Sequence, residues 1–153
     1  MAAASPGIRK IVVDTDLFVD HLTTAEPPSV LRLALQKFFC YTTVFQAIEL
    51  FSLARTAGEQ QAMEDAMASV KVLGLNARNA PAYGALVAAH RRRSLTALLA
   101  GGLCLESKLP LLTGRPSMYR GLGILLVSGD LVRRHETGEE ILKIAGRARR
   151  SGR

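Results

Sequence analysis

Two aspartates separated by one residue stand directly after a short apolar run. Asp14 and Asp16 follow Ile11, Val12 and Val13. Short runs of β-branched residues favour strands, and open α/β sheets bind their ligands beyond the carboxyl ends of the strands. The two carboxylates are therefore candidates for a ligand site. An aspartate at this position also serves as a turn former or a helix cap, and that interpretation stays open.

A third candidate carboxylate lies in a predicted helix among apolar residues. If this segment is helical, Glu49 has Phe45 and Leu53 as its i−4 and i+4 neighbours, and Ile48 and Leu50 are adjacent in sequence. A charge on a mostly apolar surface is costly unless it is paired or coordinated. We therefore expect a cation beside Glu49, either an arginine or a divalent ion.

Strand and helix patterns alternate along the chain, and these elements must position the acids. The predicted strands cover residues 10–13, 38–41, 70–73, 109–112 and 124–127, with helical patterns between them. This order is typical of βαβ units, and it predicts an α/β fold in which helices cover both faces of a parallel sheet.

Local signals mark where several helices begin. The pairs Thr43/Gln46 and Thr137/Glu140 have the spacing of a capping box, which satisfies free N–H groups at a helix start. Pro81 suits a first helical turn, where its missing N–H costs nothing. Apolar residues surround the axis of a helix starting near residue 96, so we expect that helix to be buried.

Length and composition indicate one globular domain. A chain of 153 residues suits a single hydrophobic core, and its 48% hydrophobic and 22% charged content is typical of folded proteins. We assign the domain to residues 1–136. For residues 137–153 we expect a short helix followed by a basic, disordered tail.

The sequence predicts a cytoplasmic location and no membrane association. No secretion signal is visible at the start. The most apolar stretch, residues 95–105, is too short to span a bilayer, which needs about 20 apolar residues. Cys40 and Cys104 lie far apart without metal-ligand spacing, and we expect buried free thiols. The three histidines share no such spacing either.

The net charge of +7 raises the question of a polyanionic partner. Arginines cluster at residues 91–93 and again at 147, 149, 150 and 153. Such clusters attract nucleic acid by releasing counterions from its phosphates. Arginines at a helix end also complement the helix dipole or form a solvated tail, so charge alone leaves both interpretations open.

Four short motifs follow one another along the chain. Residues 11–20, IVVDTDLFVD, resemble the strand and Asp-Thr/Ser opening of PIN domains, a family that includes the VapC-type toxins. Residues 42–50, TTVFQAIEL, are similar to its second motif, whose glutamate is a metal-site acid. LPLLT at 109–113 and YRGLGI at 119–124 resemble its late strand and the usual continuation. The resemblance covers about residues 8–128.

The resemblance implies a three-layer α/β/α sandwich with a central parallel sheet of about five strands. It also implies a ribonuclease whose acids hold Mg²⁺ or Mn²⁺ and activate water against RNA phosphodiesters, a chemistry suited to hard ions and carboxylates. Matched by position, Asp14 and Glu49 are catalytic and metal-binding, and Asp16 is a neighbouring metal ligand. Thr113 and Arg115 are expected to contact substrate. An antitoxin-like protein partner and a homodimer are implied as well.

Two positions depart from the family pattern. Ala97 stands where the third acid is expected, and Arg115 stands where the fourth position is usually aspartate or asparagine. We therefore predict weakened or altered metal binding. Arg115 either pairs with Glu49 or Asp14 in the place of the metal, or contacts a phosphate. The alternative function is a catalytically inactive PIN-like module that binds RNA or a protein partner.

Overall fold

The computed structural model describes residues 7–24 and 27–152, which form five strands and eight α-helices. The strands are β1 (Lys10–Val13), β2 (Phe39–Thr43), β3 (Lys71–Leu73), β4 (Leu111–Leu112) and β5 (Leu126–Val127). The helices are α1 (Thr15–Thr23), α2 (Val30–Lys37), α3 (Val44–Phe51), α4 (Ala57–Met67), α5 (Ala80–Ala89), α6 (Leu95–Ser107), α7 (Gly129–Arg134) and α8 (Gly138–Ser151).

One parallel sheet contains all five strands, in the order β3-β2-β1-β4-β5. The central strand β1 pairs with β2 on one side and with β4 on the other. Because the chain order reverses between β1 and β4, their carboxyl ends border the crevice where such sheets bind ligands. The predicted sheet is confirmed, and its last two strands are shorter than the sequence pattern indicated.

Two apolar clusters cover the two faces of the sheet and make the fold a three-layer α/β/α sandwich. Successive side chains of a strand point to opposite faces. Ile11 and Val13 accordingly join a cluster that includes residues of α1, α2, α4, α7 and α8. Val12 joins the other cluster, which includes Ala97 and Leu98 of α6. The alternation of three buried residues in β1 therefore connects both layers of helices.

Helix α6 is mostly buried, as its sequence predicted. Ala97, Leu98, Ala100 and Leu103 are each at most 3% exposed. Gly102 permits the close approach of α5, because a Cβ atom at this position would lie 2.5 Å from Cε1 of Tyr83. Among its large apolar residues, Leu95 and Leu105 are exposed, at 58% and 38%.

The C-terminal helix α8 covers most of the segment for which a short helix and a disordered tail were expected. Thr137 caps it by accepting a hydrogen bond from the N–H of Glu140 at 3.2 Å. Ile141 and Ala145, one helical turn apart, are buried in the same cluster as Ile11. Arg149 donates to the carbonyl of Gly123 at 3.0 Å. These contacts explain why the helix continues through the basic end as far as Ser151.

The remaining sequence signals have structural counterparts. Cys40 and Cys104 are free and buried, and burial raises the pKa of each thiol to about 12. Among the residues that the structure describes, no helix is long and apolar enough to cross a membrane. Arg93 donates to the carbonyls of Met118 and Arg120. One arginine of the 91–93 cluster therefore has a structural role.

Candidate functional site

The site is built around Asp14, which links β1 to α1 and has no solvent exposure. Its carboxylate accepts a hydrogen bond from the N–H of Thr15 at 2.8 Å and so caps α1. The helix-cap interpretation of this residue is therefore confirmed. Asp14 is a helix cap, and it is also the centre of a polar cluster at the crevice between β1 and β4.

Four side chains from later in the sequence converge on this carboxylate, one from α3 and three from residues 113–119. Oδ1 accepts from Gln46 Nε2 at 2.8 Å, from Arg115 Nη2 at 3.0 Å and from the Tyr119 hydroxyl at 3.0 Å. Oδ2 accepts from the Thr113 hydroxyl at 2.7 Å and from Arg115 Nε at 3.3 Å. A carboxylate has about four lone-pair sites. Together with the Thr15 N–H, these donors leave no acceptor capacity on Asp14.

Gln46 is held in position by the capping box of α3. Its Oε1 accepts from the N–H of Thr43 at 3.1 Å, and its own N–H donates to the Thr43 hydroxyl at 3.2 Å. With Oε1 occupied by a backbone donor, Nε2 is directed to Asp14. The predicted capping box is confirmed, and it also orients a buried amide toward the site.

Glu49 lies one helical turn beyond Gln46 on the same side of α3. Its Oε1 accepts from Arg115 Nη2 at 3.2 Å. The same nitrogen contacts Asp14, so one guanidinium bridges the two acids. The side chain of Glu49 is 28% exposed, whereas that of Asp14 is 0% exposed. The cation that the sequence analysis required beside Glu49 is an arginine.

Arg115 reaches the site because the chain turns immediately after β4. Its N–H donates to the Thr113 hydroxyl at 2.9 Å, which closes a local turn at residues 113–115. The Arg115 side chain is 32% exposed. The two residues expected to contact substrate are therefore, in this structure, both hydrogen-bonded to Asp14.

The pKa values of these groups follow from burial and from the ion pair. Burial alone would raise the pKa of Asp14, but hydrogen bonds from Arg115, Thr113 and Gln46 and the charge of Arg115 hold it below its ordinary value. Burial alone would lower the pKa of Arg115, and its contacts with Asp14 raise it instead. The site thus favours a carboxylate facing a charged guanidinium.

Asp16 lies beside this cluster and is held differently. Its Oδ2 accepts from the N–H of Gly114 at 2.8 Å, and its Oδ1 is buried with no hydrogen-bond partner among the described residues. Burial, and then the negative charge of Asp14, raise the pKa of Asp16 to about 6. Asp16 is therefore close enough to Asp14 to be affected by its charge, but no hydrogen bond connects it to Arg115 or Glu49 in the described structure.

The arrangement does not fit a divalent ion at the position implied by the PIN resemblance. Every acceptor site of Asp14 is occupied, and Arg115 lies between Asp14 and Glu49. Ala97, at the place of the third acid, is 2% exposed in the same apolar cluster as Tyr119. Across residues 7–24 and 27–152, no group of three or more His, Cys, Asp or Glu side chains is placed to hold a metal.

Two residues of the site were not identified as site residues from the sequence. Gln46 was read as a helix cap, and the capping box gave no sign that its amide also reaches Asp14. Tyr119 was noted within the late YRGLGI motif, and its hydroxyl donates to Asp14 across 105 positions of sequence. A buried tyrosine hydroxyl needs a polar partner, which is the signal that sequence alone offers.

These features define a class of fold: a PIN-like α/β/α sandwich with an acidic residue at the end of its central strand. Several solved structures are similar to this chain in fold. The chain is similar to VapBC2 from Rickettsia felis bound to a promoter DNA fragment, at a TM-score of 0.64 and 15% identity, over 78% of this chain and 98% of the other.

A toxin–antitoxin complex from Klebsiella pneumoniae is similar at a TM-score of 0.61 and 15% identity, over 78% of this chain and 97% of the other. FitAB bound to an IR36 DNA fragment is similar at a TM-score of 0.58 and 12% identity, over 78% and 94%. No family sequence model and no curated protein sequence matches the chain. At these identities the similarity establishes a VapC-like PIN fold and no activity.

Proposed function

We propose that this chain is a PIN-fold module that binds a protein partner and does not cut RNA through a metal site. One observation carries the proposal: Arg115 Nη2 lies 3.0 Å from Asp14 and 3.2 Å from Glu49, the two acids that the family resemblance assigns to the metal. A guanidinium is a fixed cation that cannot activate water as a bound ion does. It compensates the acids without supplying their chemistry.

A protein partner is favoured by the kind of assembly in which similar folds occur. The similar structures include a toxin–antitoxin complex, VapBC2 bound to a promoter DNA fragment and FitAB bound to a DNA fragment. The proposed role for this chain is the corresponding one of a folded module held by an antitoxin-like protein. A cytoplasmic location and a homodimer remain predictions from the sequence.

A second candidate is the ribonuclease that the family resemblance implies, with Asp14, Glu49 and Asp16 as ligands of Mg²⁺ or Mn²⁺. The exposure of Arg115 supports it, because a side chain that is 32% exposed lies at the edge of the site. This activity requires Arg115 to leave the two acids, with Thr113 and Arg115 then free to contact RNA. It also requires binding through few carboxylates, which Mg²⁺ tolerates when substrate phosphates supply further oxygens.

RNA cleavage by the purified protein distinguishes the two candidates. Wild-type protein, Asp14→Asn and Glu49→Gln are incubated with a labelled single-stranded RNA and Mn²⁺. We expect the same background rate for all three, because no metal-dependent step depends on these acids. Glu49→Gln guards against a folding defect in Asp14→Asn, since Glu49 is the more exposed acid. Cleavage by wild type that both substitutions abolish would establish the ribonuclease instead.

A further inference from the structure

Helix α5 is uncharged along its whole length and yet lies at the surface. Its sequence is APAYGALVAA, and its single side-chain polar group, the Tyr83 hydroxyl, donates to Glu106 Oε2 at 2.6 Å. Tyr83 is the one buried residue of the helix. Seven of its ten residues are exposed: Ala80, Pro81, Ala82, Gly84, Ala85, Ala88 and Ala89. A helix that is apolar all round is normally buried, and this one has no cover over its exposed side among the described residues.

A groove runs between α5 and α6. It has a volume of about 450 Å³, and Ala82, Leu86 and Leu105 are among its lining residues. Glu106 also lines it, but both carboxylate oxygens already accept hydrogen bonds, from Tyr83 and from Asn79. The groove therefore offers apolar contacts to a side chain from outside. We call Ala82, Ala85, Leu86, Ala89 and Leu105 the α5 surface.

The charged side chains that flank helix α5 along the chain are all basic, and Glu106 of α6 is the acid that lines the groove. From residue 66 to residue 105 the sequence contains no aspartate or glutamate, and it contains Lys71, Arg78 and Arg91–Arg93. Arg78 precedes α5, and Arg91 and Arg92 follow it. All three are exposed. A ten-residue helix is about 15 Å long, so these charges mark the two ends of one apolar strip.

We infer that the α5 surface binds an amphipathic segment of a partner protein, whose apolar side chains enter the groove and whose acidic side chains face Arg78, Arg91 and Arg92. This inference rests on the proposed function, since it names the surface through which a partner-binding module acts. An uncharged centre with a charged rim is the usual organisation of protein interfaces. Nucleic-acid interfaces are polar and positively charged throughout, which an alanine-rich helix face is not.

A second copy of the chain fits this surface less well. In a symmetric pair the same patch meets itself. If two α5 helices pair in antiparallel fashion, Arg78 of each copy lies against Arg91 and Arg92 of the other. Both ends of the helix are basic, so these contacts bring like charges together. Like charges across an interface are repulsive, and they discriminate against the wrong partner. Acidic flanks on a different chain remove that repulsion.

Two labelled helical peptides test the inference by fluorescence anisotropy. Each has about 16 residues, enough to span α5 and both basic ends. Both carry leucine and alanine along one face; the other face carries glutamate in the first peptide and lysine in the second. We expect the glutamate peptide to bind wild-type protein, more weakly as NaCl rises, and the lysine peptide to bind at least tenfold more weakly.

Matched variants locate the binding. Ala82→Glu places bulk and negative charge at the groove, and the double variant Arg78→Glu/Arg92→Glu reverses the rim. Each should weaken binding of the glutamate peptide at least tenfold. Ala148→Glu and the double variant Arg147→Glu/Arg150→Glu make the same charge changes on exposed residues of α8, and each should change it by less than twofold.

Each other result overturns the inference in a distinct way. Equal weakening by the α8 variants would mean non-specific charge attraction. A dimer in size-exclusion chromatography that Ala82→Glu dissociates would make a second copy the occupant. Displacement of the glutamate peptide by a short RNA, lost in Arg78→Glu/Arg92→Glu, would assign the surface to nucleic acid. No binding of either peptide would remove the surface as a docking site. None of these results depends on RNA cleavage, which tests the proposed function separately.

Discussion

Two nitrogens of Arg115 donate to the two carboxylate oxygens of Asp14, with Nε 3.3 Å from Oδ2 and Nη2 3.0 Å from Oδ1. This two-point contact joins an acid without solvent exposure to a guanidinium that is 32% exposed. Paired contacts of this kind fix geometry as well as charge. The buried acid is therefore compensated by the chain itself.

Removal of Arg115 should destabilise the fold. Arg115→Ala leaves Asp14 buried with its charge uncompensated, and we expect a loss of about 2–3 kcal/mol in the free energy of unfolding at pH 7. Urea denaturation measures it. Glu49→Gln is the matched change at the other end of the bridge, and it should cost less than about 1 kcal/mol because Glu49 is partly solvated. Equal effects of the two variants would contradict a special role for the buried pair.

The pH at which acid unfolding begins should be higher for Arg115→Ala than for wild type. The pKa of Asp14 is below its ordinary value in the folded protein, so its contribution to stability is present above that ordinary value and is lost as pH falls through the folded pKa. Without Arg115 the folded pKa rises, and acid unfolding should begin at a higher pH. Circular dichroism followed from pH 7 to pH 2 measures this shift.

Metal affinity should depend on the two positions that depart from the PIN pattern. Wild-type protein is expected to bind Mn²⁺ weakly, because Arg115 occupies the space between the acids. Ala97→Asp/Arg115→Asp adds two carboxylates and removes the competing cation, which should strengthen Mn²⁺ binding in calorimetry at least tenfold. The control Ala148→Asp/Arg150→Asp makes the same changes on α8. Tight binding by wild type, unaltered in the double variant, would show that other residues form the site.

Asp16 should make stability depend on pH with the opposite sign to Asp14. Its folded pKa is raised to about 6, so its favourable contribution is complete below the ordinary value near 4 and is lost as pH rises through 6. Asp16→Asn keeps an acceptor for the Gly114 N–H without the charge. We compare the free energy of unfolding of Asp16→Asn with that of wild type. This difference should increase in favour of the variant by about 1 kcal/mol between pH 4 and pH 7, allowing for solvent screening. Parallel pH profiles would refute this assignment.

The sheet and its helices were predictable because local patterns and global fold agree. Each of these elements has a signal within a few residues of sequence. The signals are the apolar residues around Val12 in β1, the caps at Thr43 and Thr137, and Pro81 at a helix start. The bounds of β4 and β5 were less accurate, because a strand ends where its pairing ends and pairing depends on a distant partner. The end of α8 was missed for the same reason, since Arg149 contacts Gly123.

The site itself was only partly predictable. The position of Asp14 follows from one strand and its end, and the need of Glu49 for a cation follows from its apolar neighbours. The cation that pairs with Glu49 is Arg115, which lies 66 positions away in the sequence. Arginine and a metal ion are both compatible with the sequence, because spacing along the chain does not determine which loops meet at a crevice. For this reason the sequence does not identify Gln46 and Tyr119 as hydrogen-bond donors to Asp14.

The packing of α5 on α6 should depend on Gly102. A Cβ atom there would lie 2.5 Å and 2.9 Å from two carbons of the Tyr83 ring and 3.3 Å from Leu86. Gly102→Val should therefore lower the free energy of unfolding by about 1–3 kcal/mol, because an overfilled core must shift its neighbours. Gly146→Val is the matched control, since nothing lies within 4 Å of a Cβ atom at that helical glycine. We expect it to change stability by less than about 0.5 kcal/mol. Equal melting temperatures for Gly102→Val and wild type would mean that the two helices do not pack this closely.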